Sequence, residues 1–182
     1  MTNPSYSRGF TLLELLIALA VMAIALGMGV PAYKNMIANS QSTAAANDLM
    51  MMAQNARAQA MRTRTRVVMC PSVDGERCSG SDWSNAISGL DENRNDTIDG
   101  NETILRRVSL PQGINVEAIS ETPLIFLPNG TARMGNSSDD GIDDPDAILV
   151  CTQSNSAPSR WVRVGFSSAQ TQILRGSPDD CA

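Results

Sequence analysis

Side chains that could do chemistry are few in this sequence, and histidine is not among them. The 182 residues contain no histidine, the residue that supplies the commonest general base and the commonest metal ligand in proteins. Catalytic triads, cysteine–histidine pairs and HExxH metal sites are therefore excluded, and the sequence predicts a protein that is not an enzyme. Three features remain: a loop of oxygen-bearing side chains, four cysteines and a carboxylate within an apolar run.

Five oxygen-bearing side chains follow the spacing of a calcium-binding loop. They occupy positions 1, 3, 5, 9 and 12 of such a loop: Asp91, Asn93, Asn95, Asp99 and Glu102. Ile98 lies where these loops carry an apolar residue, whereas Asp96 replaces the usual glycine of position 6. The alternative is an acidic hairpin loop that binds no metal. Calcium is the one cofactor that the sequence suggests.

The four cysteines predict two disulfides rather than a metal site. Cys70, Cys78, Cys151 and Cys181 include no CxxC pair, and without histidine a zinc ion would need all four thiolates. Disulfides form in oxidising compartments, and the export signal described next implies one. Of the three pairings that four cysteines allow, we expect Cys70–Cys78, which closes a short loop, and Cys151–Cys181, which ties the C-terminus to an internal strand.

The N-terminus combines a basic residue with an apolar run long enough to cross a membrane. Residues 10–30 are apolar apart from Thr11 and Glu14, and as a helix they would span about 31 Å, against about 30 Å for a hydrocarbon core. Because Arg8 precedes the run, we expect a cytoplasmic N-terminus and an exported remainder. A carboxylate within a membrane is costly and usually functional, which argues against an ordinary signal peptide or a plain anchor.

The segment RGFTLLELL, from Arg8 to Leu16, resembles the class III signal of type IV prepilins. The resemblance implies that a prepilin peptidase cuts between Gly9 and Phe10 and that Phe10 is then N-methylated. Residues 1–9 would be the leader. Glu14 would become the fifth mature residue, where this family has a glutamate, and Pro31 the twenty-second, where pilins commonly carry a helix-bending proline.

Glu14 would have a physical role in assembly. An unpaired acid in a low-dielectric medium carries a desolvation penalty. In a packed bundle it could meet the N-terminal ammonium of a neighbouring subunit's Phe10, and charge pairing in that medium is strong. We therefore expect assembly to relieve the penalty and to set the axial register of adjacent helices.

Beyond Pro31 the pattern predicts a continuing helix and then a β-rich domain. An apolar stripe recurs at helical spacing at Leu49, Met52, Ala53, Ala56 and Ala60. We expect one helix from Phe10 to Arg62, kinked near the proline. The candidate strands are Arg66–Cys70, Thr103–Leu110, Ile114–Ile119, Leu124–Leu127, Thr131–Met134, Ala147–Thr152, Arg160–Phe166 and Thr171–Arg175. Asn129-Gly130 is a hairpin signal. The fold class predicted is α+β, with a long N-terminal helix packed on an antiparallel β-sheet globular domain.

The C-terminal region is similar to the FimT/FimU minor pilins and the GspH pseudopilins. The similarity lies in Val67–Ser72, Cys78, Trp83, Asp91–Arg106 and Phe126–Gly130. It implies a low-abundance subunit that helps to initiate a filament and lies at or near its tip. The implied partners are other minor and major pilins, the prepilin peptidase and an inner-membrane assembly platform. Residues 10–37 would lie in the membrane or filament core, and residues 38–182 would form a periplasmic domain.

The sequence leaves three candidate functions, of which we predict the first. The first is a structural minor pilin of a type IV pilus, the second a pseudopilin of a type II secretion system, and the third a DNA-binding pilin. Some FimT proteins bind DNA through a GRxR segment near the C-terminus, which residues 168–175 lack. Four arginines, Arg57, Arg62, Arg64 and Arg66, cluster where the helix should end and complement its dipole. With a net charge of −5, the chain is a poor candidate for nucleic-acid binding.

Overall fold

In the described residues, the fold is one long helix followed by nine strands. The computed structural model describes residues 10–118, 123–134, 146–152, 158–165 and 171–177. The elements are α1 (Leu12–Thr63), β1 (Arg66–Pro71), β2 (Asn85–Asp91), β3 (Ile104–Ser109), β4 (Ile114–Ala118), β5 (Leu124–Phe126), β6 (Ala132–Met134), β7 (Asp146–Thr152), β8 (Arg160–Val164) and β9 (Thr171–Arg175). The predicted α+β class is confirmed.

Helix α1 begins and ends within two residues of its predicted bounds. Thr11 caps its first turn, and Arg64 follows its last residue with a positive φ of 57°, the left-handed conformation that commonly ends helices. The helix passes through Pro31 without interruption, and the predicted kink there stays a prediction. The chain divides into two compact units, Met1–Ile37 and Ala38–Ala182.

In the second unit, the predicted apolar stripe of α1 is buried. Leu49, Met52 and Ala60 have no exposed surface, and they share one core with Phe126 and Val162 from the strands. Burial of this stripe is what makes the second half of α1 part of the globular unit.

The strands form two antiparallel sheets. One has the order β3-β2-β1-β5-β6 and the other β4-β7-β8-β9. The predicted hairpin at Asn129-Gly130 is confirmed, because it joins β5 to β6 and Gly130 has a φ of +84°. Strand β8 also contacts the helix, since Arg160 Nη2 donates a hydrogen bond to Asn39 Oδ1 at 2.8 Å.

Strand β2 was absent from the predicted set, although it is an interior strand of its sheet, paired with both β1 and β3. Its sequence, NAISGLD, lacks the alternation of large apolar and polar residues that marks a half-buried strand. Small residues are needed there: a Cβ added to Gly89 would lie 2.9 Å from the carbonyl oxygen of Thr103. The close backbone approach therefore removes the sequence signal that would have revealed the strand.

Candidate functional site

The first candidate site is the start of α1, whose apolar side chains are exposed. Every large hydrophobic residue from Phe10 to Val30 is at least half exposed. By length and composition the helix could cross a membrane. Apolar side chains around the whole circumference of a helix need lipid or other helices to cover them. This segment is therefore built for contacts that the single chain does not supply.

Glu14 lies in the first turn of this segment and forms a capping box with Thr11. The Glu14 N–H donates to Thr11 Oγ1 at 3.2 Å, and the Thr11 N–H donates to Glu14 Oε2 at 3.3 Å. The reciprocal bonds satisfy two of the N–H groups that a helix start leaves without partners. They also turn the carboxylate toward the N-terminal end of the helix, where cleavage after Gly9 would create an ammonium group.

Of the other residues predicted for processing and assembly, the structure describes some and not others. Phe10 is described and 89% exposed, whereas Gly9 and the leader lie outside the described residues. Pro31 lies within α1, and its predicted part in assembly stays a prediction. The geometry thus places Glu14 beside the predicted cleavage point without testing the cleavage.

The second candidate site is the loop closed by Cys70 and Cys78, whose predicted disulfide is confirmed. Ser72 is buried in this loop and its Oγ accepts the N–H of Gly75 at 2.9 Å. The pKa of the Asp74 carboxyl lies well below its usual range, first because it accepts the N–H of Glu76 and then because it pairs with the Arg77 side chain. The loop is thus held by covalent and polar contacts.

The second predicted disulfide is only partly accounted for. Cys151 is disulfide-bonded, and its predicted partner Cys181 lies outside the described residues. The Cys151–Cys181 pairing therefore stays a prediction.

The third candidate site is the loop from Asp91 to Glu102. Asp91 is completely buried, and its carboxylate accepts the N–H groups of Asn95 at 3.0 Å and Asp96 at 3.2 Å. Glu102 accepts the N–H groups of Glu92 at 2.9 Å through Oε1 and of Asp99 at 3.2 Å through Oε2. The carboxylates thus hold the backbone of their own loop.

The same loop was predicted to bind calcium through five side chains. All five residues belong to this loop, and Asn93 Nδ2 donates to Asp99 Oδ2 at 2.9 Å. Among the described residues, however, no three His, Cys, Asp or Glu side chains are grouped so that they could hold a metal ion. The calcium site stays a prediction that this geometry does not support.

Asp96 has a role that sequence reasoning missed. It takes a φ of 64°, and its carboxylate pairs with Arg66 Nη1 at 2.9 Å and with Arg133 Nη2 at 2.6 Å. These contacts fix the loop to β1 and β6. The partners lie 30 and 37 residues away, so no local sequence pattern could have revealed them.

An uncovered apolar helix followed by an antiparallel two-sheet unit defines a type IV pilin-like protein. A family model described as "Type II transport protein GspH" matches residues 45–170. A second model, described as "Prokaryotic N-terminal methylation motif", matches residues 4–30. The first match covers more than half of the chain, which therefore belongs to the GspH family. No curated protein sequence matches the chain significantly.

The matching solved structures include a minor pilin in two crystal forms and a minor pseudopilin. The type IV minor pilin FimU of Pseudomonas aeruginosa PAO1 matches in one crystal form with a TM-score of 0.51 at 18% identity, covering 77% of this chain and 91% of that chain. A second crystal form gives 0.50 at 18% identity, with 75% and 94% covered. The minor pseudopilin EpsH from the Type 2 Secretion System of Vibrio cholerae gives 0.48 at 10% identity, with 74% and 97% covered. The likeness to FimU confirms the pilin fold and no more.

Proposed function

We propose that this chain is a structural minor pilin that primes assembly of a type IV pilus and is incorporated at or near the pilus tip. The observation that carries the proposal is the start of α1. It joins an N-terminal methylation motif to a helix whose large apolar side chains are exposed from Phe10 to Val30. Such a helix suits both states of a pilin, first in a membrane and then in a filament core.

In this proposal the chain is held in the inner membrane before assembly, with one membrane span and a periplasmic C-terminal unit. Lipid tails are as apolar as leucine, so the hydrophobic effect gives little drive for helix association in a membrane. Packing and polar pairing must then supply specificity. Glu14 is the charged group available for that purpose between Phe10 and Val30.

A second candidate function is that of a GspH-like pseudopilin in a type II secretion system. The observation that favours it is the description of the matching family model. Both functions use the same helix and the same kind of partner, other pilins. They differ in the system to which the filament belongs, a type IV pilus or a type II secretion system.

A deletion of the gene, complemented by the wild-type chain, distinguishes these functions. For a type IV minor pilin, we expect loss of surface pili and twitching motility while protein secretion continues. Loss of secretion with normal twitching would instead favour the pseudopilin. Loss of DNA uptake alone, with pili and secretion intact, would favour the DNA-binding pilin.

Processing is tested on the same strains by intact-mass spectrometry. We expect the mature chain to begin with N-methylated Phe10, and Gly9→Val to block cleavage because a larger side chain precedes the cut. Wild-type protein that still carries residues 1–9 in the filament fraction would contradict the proposed function.

A further inference from the structure

A groove lies between the last turns of α1 and the edge strand β3, within the unit Ala38–Ala182. Its volume is about 400 Å³. The helix side presents Asn55, Gln59 and Arg62, which follow one another at spacings of four and three residues and so share one helix face. The strand side presents Leu105 and Arg106.

A β-bulge creates the strand side of the groove. In the pairing of β2 with β3, Ser88 lies opposite Arg106 whereas the next residue, Gly89, lies opposite Ile104. Leu105 is therefore an extra residue with no partner across the ladder. A bulge of this kind redirects a side chain, and here Leu105 and its neighbour Arg106 both line the groove.

The charge of the groove is positive. Its described lining contains two guanidinium groups, of Arg62 and Arg106, and no carboxylate. Within the described part of the chain neither arginine forms an ion pair. Arg62 Nε donates to Gln59 Oε1 at 2.7 Å, a contact that orients the planar guanidinium before any ligand binds.

Three other arginines of the same unit do have carboxylate partners within the chain. Arg66 and Arg133 are paired with Asp96, and Arg77 is paired with Asp74. The chain is acidic overall, with a net charge of −5. Two arginines without carboxylate partners in a recess of an acidic protein are suited to carboxylates that another molecule brings.

We propose that this groove binds an acidic segment of a neighbouring pilin subunit, with Asp or Glu carboxylates of that subunit paired to Arg62 and Arg106. This inference rests on the proposed function, because a filament would hold globular units side by side. At the high effective concentration within a filament, a weak contact of this kind is sufficient. Leu105 and the amides of Asn55 and Gln59 supply the remaining apolar and polar contacts.

The binding mode follows from the bulge. Beta-bulges on edge strands disfavour the addition of another strand, so the segment is recognised through its side chains rather than by joining the sheet at β3. Nucleic acid is the other polyanion to consider. A recess with two guanidinium groups neutralises few phosphates, so it gains little from a long polyanion compared with a short acidic segment.

The test measures binding of a fluorescein-labelled decapeptide of alternating Asp and Ser to the full-length chain in detergent. We expect saturable binding by fluorescence polarisation, weakened about three- to tenfold by either Arg62→Gln or Arg106→Gln, the loss expected for one solvent-screened charged contact. The matched control is Arg163→Gln, which removes an exposed arginine from β8, and it should leave the affinity unchanged. A peptide with Asn in place of Asp should not bind.

Several results would overturn the proposal. These are no saturable rise in polarisation as the chain is titrated into the labelled peptide, an equal loss of affinity in the Arg163→Gln control, or displacement of the peptide by a duplex oligonucleotide at lower concentrations than by the unlabelled peptide. Thermal unfolding of each variant confirms that it is folded. The assay needs no filament, so its failure with normal filament incorporation refutes the groove alone. Failed incorporation of the wild-type chain refutes the proposed function and leaves the peptide result standing.

Discussion

Residues 10–30 and residues 45–60 belong to the same helix, but their apolar side chains are arranged and covered in opposite ways. In the first segment large apolar residues occur around the whole circumference, and each is at least half exposed. In the second they recur every three or four positions, and the stripe from Ala45 to Ala60 is buried against strands of the same chain. One segment needs other molecules, and the other is complete within its own unit.

The difference shows how one helix can serve two purposes. A stripe of apolar residues fixes which face turns to the sheet and leaves the other face polar. A continuous apolar surface fixes no face, so it accepts lipid first and other helices later. Because a continuous apolar surface does not define an orientation, register must come from a polar group, and Glu14 is placed to provide it.

The largest expected effect comes from matched leucine substitutions in the two segments. Leu49 has no exposed surface, whereas Leu16 is 55% exposed. Leu49→Ala should reduce the free energy of unfolding of the globular unit by about 2–5 kcal/mol, because it removes buried contacts and leaves a cavity. Leu16→Ala should leave that stability unchanged and reduce incorporation into filaments.

The measurement is thermal unfolding followed by tryptophan fluorescence, since both tryptophans, Trp83 and Trp161, belong to the globular unit. Filament incorporation is measured on sheared surface fractions. Equal destabilisation by Leu49→Ala and Leu16→Ala would show that the comparison between the two segments is wrong.

Next in size is the effect of the charge on Glu14. Gln can replace Glu in a capping box, so Glu14→Gln keeps the cap and removes the charge, whereas Glu14→Ala removes both. If the charge pairs with the ammonium of a neighbouring subunit, the two variants should be exported and folded normally, and both should be incorporated several-fold less than wild type. This expectation follows from the strength of charge pairing in a low-dielectric medium.

The two variants also distinguish charge pairing from the competing explanation, in which Glu14 only caps the helix. If Glu14 serves only to start the helix, Glu14→Gln should behave as the wild type does and Glu14→Ala alone should be defective. Incorporation of the Gln variant at the wild-type level would therefore exclude the charge-pairing account.

A smaller effect is expected within the globular unit, at Asp96. Asn tolerates the left-handed conformation as Asp does, so Asp96→Asn changes the charge and keeps the backbone. It should reduce the free energy of unfolding by about 1–2 kcal/mol, a value discounted because the paired groups are 28–31% exposed. Urea unfolding measures the loss. Glu76→Gln, at an exposed position, is the control, and an equal loss there would contradict the role of Asp96.

Much of the fold was predictable because its signals are local. The stripe from Leu49 to Ala60, the hairpin at Asn129-Gly130 and eight strands each depend on residues close in sequence. Strand β2 was missed for the opposite reason, since its small residues are explained only by the backbone that approaches Gly89.

In the candidate sites, too, contacts between residues close in sequence could be predicted and contacts between distant residues could not. The Cys70–Cys78 pair could be predicted because its members are eight residues apart. The contacts of Asp96 with Arg66 and Arg133 could not, because they join elements 30 and 37 residues apart. The groove at Arg62 and Arg106 depends on a shift in strand register, which side-chain types alone do not encode.

The smallest expected effect concerns calcium and the loop from Asp91 to Glu102. Asp91 could keep its bonds to the N–H groups of Asn95 and Asp96 while another lone pair turned to a cation. Glu102 holds one backbone N–H more than Asp91 does, since its Oε1 accepts from Glu92 and Asn93 and its Oε2 accepts from Asp99, and its carboxylate would have to release at least one of them to bind a cation. That rearrangement lowers the affinity, so any site should resemble the weak class with a Kd of about 0.1–1 mM.

At such an affinity, 1 mM calcium stabilises the folded chain by about 0.4–1.4 kcal/mol through mass action. The resulting rise in Tm relative to EDTA is about 1–5 °C for a unit of this size. Glu102→Gln should abolish the rise, whereas Asp82→Asn, which changes a carboxylate outside the loop, should not. An unchanged Tm, together with no heat in titration calorimetry, would mean that Asp91 and Glu102 serve only to hold their own loop. The spacing of the five oxygen-bearing residues would then reflect a turn geometry that calcium-binding loops share with acidic loops that bind no metal.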